Sequence, residues 1–148
     1  MTGAPVVRPA VVDDAPRLAE IALAAYAPYV AAIGREPPPM RQDFPADIAR
    51  ARVWVAGGPD GFIVAYAQGT DWHVENLAIA PEAQGRGLGR TLLAFTETHA
   101  RQLGHPRVAL YTNAAMAGAL ALYPRLGYRE IGRRVEHGLR RVFFVKAL

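Results

Sequence analysis

The sequence predicts a mixed α/β fold, with one sheet of about seven strands, mostly antiparallel with a central parallel pair, and about four helices. Gly57-Gly58-Pro59-Asp60-Gly61 separates two apolar runs and is typical of a hairpin, whose strands are antiparallel. A helical pattern from Leu88 to Leu103 separates two later strands, and strands joined through a helix lie parallel. The length of 148 residues predicts a single domain spanning residues 1–148.

A strand and a helix open the chain. The run Val6 to Pro9 predicts the strand, and Asp13 or Asp14 is expected to cap the helix that follows. This helix reaches about Tyr26 and is ended by Pro28, and its apolar face comprises Leu18, Ile21, Leu23, Ala25 and Tyr26.

The next segment, from Tyr29 to Phe44, is predicted to be stiff and irregular because it contains Gly34 and a triple proline. Its apolar residues argue against disorder, and long connections inside a small domain are usually functional. A second, short helix is predicted from Pro45 to about Ala51.

Three consecutive antiparallel strands are predicted next, at Val53–Ala56, Phe62–Gln68 and Trp72–Ala80, the third of them central. The helix from Leu88 has Leu88, Leu92, Phe95, His99 and Leu103 on one face and ends at Gly104. Val108–Thr112 then forms the strand that lies parallel to Trp72–Ala80.

The last third of the chain completes the sheet. Asn113 is expected to cap an alanine-rich helix that continues through Tyr123 and is closed by Gly127. Tyr128–Arg133 and Arg141–Val145 are predicted to pair as a final hairpin.

Composition excludes several classes of protein. The 51% hydrophobic and 20% charged content is typical of a folded globular protein. The chain has no cysteine and no serine, which excludes disulfides, thiolate metal sites, a cysteine nucleophile and a serine hydrolase. Neither a signal-peptide pattern nor a membrane-spanning run is present, so we expect a cytoplasmic protein without membrane partners.

The net charge of +4 comes almost wholly from arginine, and the arginines are scattered. A nucleic-acid binder would gather them on one face, so nucleic acid is not the expected partner. The densest group flanks the final hairpin turn, where a solvated edge is expected, and comprises Arg133, Arg134, Arg140 and Arg141. The four histidines lack metal-ligand spacing, so no metal is expected, and His99 is predicted to pack in the core.

The stretch from Asn76 to Arg90 predicts an anion-binding loop. Pro81 ends a strand, and glycines then alternate with larger residues before a helix begins at Leu88. Unpaired N–H groups and the helix dipole, together with two arginines, favour phosphate. A tight connection without a ligand is the alternative.

Two other phosphate loops do not fit. A Walker loop needs a lysine at the helix start, but the only lysine is Lys146. A dinucleotide fingerprint needs glycine where Arg90 stands and an acidic residue after the next strand, which Arg107 to Thr112 does not supply.

The run Gln84-Gly85-Arg86-Gly87-Leu88-Gly89, after a strand that ends at Pro81, resembles the glycine loop of the GNAT superfamily of N-acetyltransferases. Leu122-Tyr123-Pro124-Arg125-Leu126-Gly127-Tyr128 resembles the second recurring signature of that family, and Arg8-Pro9-Ala10 with Asp14 is a weaker echo. The predicted order of elements is similar to the GNAT fold over essentially the whole chain.

The resemblance implies acetyl-CoA as co-substrate. Its pyrophosphate would be bound by the backbone of the loop residues Gln84, Gly85, Arg86, Gly87, Leu88, Gly89 and Arg90. A bulge in the preceding strand would let the backbone of Leu77, Ala78 and Ile79 pair with the pantetheine arm. Asn113 either hydrogen-bonds that arm or is a plain helix cap.

Acetyl transfer to an amine needs a base, because an amine with a pKa of about 10.4 is almost fully protonated at neutral pH. Strand alternation puts Glu75 on the same face of its strand as His73 and Leu77, although a bulge would disturb that count. Glu75 is either the base or a paired surface carboxylate. The resemblance implies that Tyr123 protonates the leaving thiolate, its alternative being a core aromatic role. The N–H of Leu77 is the candidate oxyanion donor. Direct attack in a ternary complex needs no covalent nucleophile.

The resemblance also implies that the first interhelical segment and the loop Arg134 to Gly138 line the acceptor site. Apolar walls are expected from Tyr26, Tyr29, Met40 and Phe44, and a cationic amine could meet Glu36 or Asp43, unless these are solvated loop residues. We expect a small-molecule or amino-acid-like primary amine as partner. Pro124 could shift the neighbouring tyrosine by removing a helical hydrogen bond.

Other functions remain open on the sequence alone. They are a non-catalytic acyl-CoA-binding module, acetylation of a protein N-terminus or lysine, and a nucleotide binder. The sequence also allows a homodimer.

Overall fold

A computed structural model describes residues 5–148 and contains a seven-stranded sheet. The strands are β1 (Val7–Pro9), β2 (Val53–Ala56), β3 (Gly61–Gln68), β4 (Asp71–Ile79), β5 (Arg107–Asn113), β6 (Arg129–Glu136) and β7 (Leu139–Ala147). Their order is β1-β2-β3-β4-β5-β7-β6, and all neighbours are antiparallel except the central pair β4 and β5. The predicted fold class is therefore confirmed.

Four helices and a four-residue α-helical turn accompany the sheet. They are α1 (Ala15–Tyr26), the four-residue turn α2 (Val30–Ile33), α3 (Phe44–Ala49), α4 (Leu88–Gln102) and α5 (Ala117–Arg125). Within residues 5–148, no helix combines the length and the apolar character that a membrane crossing requires.

The helices cover both faces of the sheet. Phe62 of β3 packs edge-on against Phe44 of α3, whereas the neighbouring Gly61 faces Leu92 of α4. Successive strand residues point to opposite faces, so α3 and α4 lie on opposite sides. Tyr26 of α1 reaches β4 from the α3 side, and the core fills the space between each helix layer and the sheet.

A β-bulge at Glu75 reshapes the centre of the sheet. Val64 of β3 pairs with Asn76 and the next residue, Ala65, pairs with Val74, which leaves Glu75 as the extra residue of β4. The bulge resets the alternation, so Glu75 shares its face with His73, as predicted, while Leu77 lies on the α4 side, contrary to the prediction.

The parallel pair β4 and β5 is short. Its ladder joins Trp72, His73 and Val74 to Val108, Ala109 and Leu110 and does not continue beyond them. The two strands run on to Ile79 and Asn113, so a cleft opens between their ends, which we call the fork.

The segment between α1 and α3 differs from the irregular chain expected. It forms short helical turns at Ala27–Tyr29, Val30–Ile33 and Pro38–Arg41. Each turn starts at or near a proline or ends at a glycine, because proline is tolerated in the first turn of a helix and glycine at its end.

Asp14 stands at the N-cap of α1, as one of the two alternatives predicted, but without a side-chain cap, and the predicted Asn113 cap is wrong. The Asp14 carboxylate makes no cap hydrogen bond to α1 and instead accepts from the N–H of Val11 and from Arg8. Asn113 is the last residue of β5, and its side chain accepts from the N–H of Ala115 in a turn before α5 begins. A capping residue type near a helix start also stabilises turns, so composition alone does not separate the two roles.

Two further details differ from the predictions, and one agrees with them. Leu103 is 57% exposed, because the buried side of α4 runs through Thr96, Glu97 and Ala100. The final hairpin turns at His137 and Gly138, so most of the expected loop belongs to β6. His99 is half-buried among aromatic rings, as its core assignment predicted.

Candidate functional site

A cavity of about 320 Å³ opens at the fork. One wall comes from β4 and β5, a second from α1 and the triple proline, and a third from α5. Predicted site residues that line the cavity are Tyr26, Tyr29, Glu75, Leu77, Ala78, Ile79, Gln84, Gly89, Asn113 and Tyr123.

The glycine loop, Gln84 to Arg90, begins at one end of this cavity. Its first residue donates from Nε2 to the carbonyl oxygen of Ile79, at 3.2 Å, and so ties the loop to β4. From Gly85 through Arg90, no backbone N–H donates to a group within residues 5–148. The loop therefore presents a row of free donors at the start of α4.

The two left-handed glycines keep this row accessible. Gly85 has φ +85° and Gly87 has φ +79°, values that other residues rarely adopt. A Cβ added at either glycine would meet no atom within 4 Å, so the space beside the loop is open, and we call the loop with its free N–H groups the cradle. An anion fits this arrangement, since free N–H groups and the helix dipole both favour negative charge.

Side chains of the loop divide into two groups. Arg86 and Arg90 are exposed and add positive charge beside the free N–H groups. Leu88 is buried in the core, so it offers only its backbone to a ligand and otherwise anchors the start of α4.

Pairing with β3 decides which way the backbone N–H and C=O groups of β4 point. Ala80 donates its N–H to the carbonyl of Asp60 at 2.7 Å, and antiparallel ladders alternate hydrogen-bonded pairs with non-bonded ones. Ala78 therefore turns its backbone groups toward β3, whereas Leu77 and Ile79 turn theirs toward the fork. The fork side of β4 is unpaired with β5 here and can receive an extended ligand.

Glu75 stands at the point where the fork opens. Its carboxylate accepts hydrogen bonds from Nε2 of Gln42, at 2.6 Å, and from the hydroxyl of Tyr66, at 3.0 Å. The side chain is half-buried and lines the cavity. Glu75 is therefore a hydrogen-bonded carboxylate on the cavity wall.

Asn76 holds the neighbouring walls together, a role the sequence analysis missed. It accepts from the Tyr26 hydroxyl at 2.7 Å and donates to the carbonyl of Pro39 and to Oε1 of Gln42, each at 3.0 Å. Burial raises the pKa of Tyr26, so its hydroxyl stays a donor. A lone asparagine within an apolar strand was the available signal, since buried amides need partners.

Tyr123 lies on α5, against the rings of Tyr128 and Phe144. Burial raises the pKa of the Tyr123 phenol to about 12. Its hydroxyl donates to no group in the described part of the chain, yet no buried polar side-chain atom there lacks a partner. Because Tyr123 lines the cavity, its hydroxyl is available to a ligand there. Pro124 follows it inside α5.

The expected acceptor walls are only partly present. Met40 and Phe44 are core residues and do not line the cavity. Glu36 is engaged by Arg41 at 2.8 Å, and Asp43 caps α3 by accepting from Ala46. Tyr111 and Arg141 line the cavity instead. The expectation of a solvated edge is wrong for Arg141, whose side chain is only 12% exposed. Within residues 5–148, no cluster of His, Cys, Asp and Glu side chains could hold a metal ion.

Residues 49–130 match the family model described as Acetyltransferase (GNAT) domain. The chain belongs to the GNAT acetyltransferase family. The matched range contains the β4 bulge, the fork, the glycine loop and Tyr123, whereas the cavity walls from α1, the triple proline and Arg141 lie outside it.

Solved structures agree with this GNAT fold. The PaiA N-acetyltransferase from Thermoplasma acidophilum in complex with coenzyme A has a TM-score of 0.83 at 18% identity, over 99% of this chain and 100% of that one. The ribosomal-protein-alanine N-acetyltransferase from Brucella melitensis has a TM-score of 0.72 at 26% identity, over 97% and 99%.

The curated relatives are longer proteins. Mycothiol acetyltransferase from Pseudarthrobacter chlorophenolicus is 40% identical over 62 residues, which is 42% of this GNAT chain and 19% of the relative. The match thus covers about a fifth of the length of this relative.

Proposed function

We propose that this GNAT chain, acting as a single domain, transfers an acetyl group from acetyl-CoA to the primary amine of a small, amino-acid-like acceptor. The observation that carries the proposal is the fork, where Glu75, the backbone of Leu77 and the Tyr123 hydroxyl border one cavity. A base, an oxyanion donor and an acid are the groups that direct attack on a thioester requires.

Coenzyme A would lie along the cavity, from the glycine loop to the point where the fork begins. The free N–H groups from Gly85 to Arg90 would bind its pyrophosphate, with Arg86 and Arg90 adding charge. Its pantetheine arm would lie in the fork against the backbone of Leu77 and Ile79, and Asn113 borders the same channel. The thioester would then lie where the fork begins.

The chemistry follows from the groups around that point. Glu75 takes a proton from the acceptor ammonium, directly or through water, and the free amine attacks the thioester carbonyl. The N–H of Leu77 donates to the oxyanion that forms. As the C–S bond breaks, Tyr123 gives its proton to the departing thiolate, which its pKa of about 12 allows because the phenol is protonated at neutral pH. The second proton, which the attacking nitrogen loses as the amide forms, returns to the Tyr123 phenolate.

An acetyl-CoA thermal shift tests the co-substrate, with NAD and ATP alongside. A ligand at 100 times its Kd stabilises the fold by about 2.7 kcal/mol, so we expect a clear rise in Tm with acetyl-CoA and none with the other two. Equal shifts with NAD would contradict the proposal and favour a nucleotide binder.

Thiol release in the presence of an amine panel tests catalysis. Glu75→Gln should lower kcat by about a hundredfold to ten-thousandfold and leave the acetyl-CoA shift intact, because a positioned base contributes this much. Glu130→Gln is the matched control, since Glu130 is an exposed carboxylate paired with Arg133 on the edge strand β6. Binding without thiol release for any amine would leave a non-catalytic acyl-CoA module.

A further inference from the structure

Arg141 borders the cavity opposite Glu75 and has no role in the steps above. Its side chain is 12% exposed, and Nη1 donates to Glu136 at 3.1 Å. The guanidinium lies 4.4 Å above the centre of the Tyr111 ring. Both contacts hold the group in a defined position on the cavity wall.

One edge of this guanidinium remains available. Nε and Nη2 of Arg141 donate to no group within residues 5–148, and no buried side-chain nitrogen there lacks a partner. These two donors are therefore open to solvent, and Arg141 lines the cavity. Parallel N–H groups of this kind bind a carboxylate in a bidentate manner.

The fork separates two opposite charges. Val74 and Leu110 form the last pair of the β4–β5 ladder, and the next residues are Glu75 on one arm and Tyr111, which carries Arg141, on the other. No salt bridge joins Glu75 to Arg141 in the described chain. A compact ligand that bears both an amine and a carboxylate would complement the pair.

We infer that the acceptor is a free α-amino acid with an apolar side chain, its carboxylate bound by Nε and Nη2 of Arg141 while its amine faces Glu75. The apolar side chain fits the walls formed by Tyr26, Tyr29 and Leu139. A peptide N-terminus carries an amide in place of this carboxylate and would leave Arg141 unpaired. The inference rests on the proposed function and narrows its substrate class.

Matched acceptors test it directly. For leucine, methionine and phenylalanine, kcat/KM is measured for the L-amino acid, its amide and the amine that lacks the carboxyl group. The free acids should be acetylated at least about tenfold more efficiently than both analogues, since a charge-assisted bidentate contact is lost. Equal or better turnover of the amides and amines would overturn the inference.

Arg141→Gln should erase that preference. We expect kcat/KM for the free acids to fall about 10- to 100-fold, mainly through KM, with little change for amides and amines. Arg140→Gln is the control, because it removes the same charge from the neighbouring, exposed position. If Arg141 had a purely structural role, Arg141→Gln would lower kcat/KM equally for acids, amides and amines, and that result would contradict the inference.

Arg141→Lys keeps the positive charge but lacks the planar guanidinium, so it should retain an intermediate preference for the free acids. This variant tests the inference if Arg141→Gln does not fold. The acetyl-CoA thermal shift distinguishes failure of the substrate inference from failure of the proposed function. If acetyl-CoA binds and other amines are acetylated while the three amino acids are not, only the substrate inference fails. If acetyl-CoA neither binds nor releases thiol, the proposed function fails with it.

Discussion

Nε2 of Gln42 donates a 2.6 Å hydrogen bond to the carboxylate of Glu75, and the same amide nitrogen also donates to Asp47 at 2.7 Å. Gln42 follows the Pro38–Arg41 turn, and its Oε1 accepts from Asn76. One side chain therefore joins the segment over the cavity to the bulge in β4. Its amide fixes the direction in which Glu75 points.

Gln42→Leu should lower kcat about five- to tenfold, because loss of one hydrogen bond worth about 1 kcal/mol releases the Glu75 carboxylate from its position. Steady-state thiol release measures the effect, and the acetyl-CoA thermal shift should not change. In the double variant Gln42→Leu/Glu75→Gln, kcat should be almost the same as in Glu75→Gln alone. Independent, multiplying losses would show that Gln42 does not act through Glu75.

Tyr123→Phe should reduce kcat with little effect on acetyl-CoA affinity, by about ten- to a hundredfold, because the phenol supplies a proton and not binding energy. Tyr128→Phe is the control. Its hydroxyl is hydrogen-bonded to Glu97 on α4, away from the cavity lining, so its loss should cost about 1–2 kcal/mol of unfolding free energy and spare kcat. Equal kcat values for Tyr123→Phe and the parent would remove Tyr123 from the mechanism.

Gly87→Trp should weaken acetyl-CoA binding at least about tenfold, because the indole would fill the open side of the loop and cover its free N–H groups. Gly104→Trp is the matched control, because Gly104 also has a positive φ, +84°, and open space beyond its Cα, but lies at the other end of α4. Isothermal titration with acetyl-CoA distinguishes them. Similar losses at both glycines would attribute the effect to backbone strain rather than to the cradle.

The free energy of unfolding should fall as pH rises above about 10. Burial raises the pKa of Tyr123 to about 12, and burial with the hydrogen bond to Glu75 raises that of Tyr66 to about 12, against about 10 in an unfolded chain. Between these values the unfolded state binds fewer protons, so deprotonation favours unfolding. Urea titrations from pH 8 to 11 measure this.

Tyr123→Phe should make that pH dependence shallower, because one of the tyrosines responsible is removed. A free energy of unfolding that stays constant or rises between pH 10 and 11 would contradict the assignment. Reversibility at each pH is the required control, since the linkage relation holds only at equilibrium.

Much of the architecture could be read from local patterns. The hairpin at Gly57 to Gly61, the helix from Leu88 and the parallel partner of β4 all follow from turn chemistry and hydrophobic period. The helix caps could not be separated from turns, because Asp14 and Asn113 offer the same oxygen to either.

The candidate site, too, was only partly predictable from the sequence. The glycine loop depends on consecutive residues, so its sequence predicts an open row of N–H groups. The assignment of Met40 and Phe44 to the acceptor wall did not hold, since which face of a short helical turn meets the core depends on distant packing partners such as Phe62. Gln42, Asn76 and Arg141 were missed for the same reason.

By itself, the sequence determined the order of elements, the strand–loop–helix cradle and the residue types available for chemistry, because these depend on spacing along the chain. Only the tertiary structure decided that Glu75 occupies a bulge, that β4 and β5 part after Val74 and Leu110, and that Arg141 faces the same cavity. Those relationships join residues far apart in sequence. They are set by strand register and side-chain packing, which no local pattern encodes.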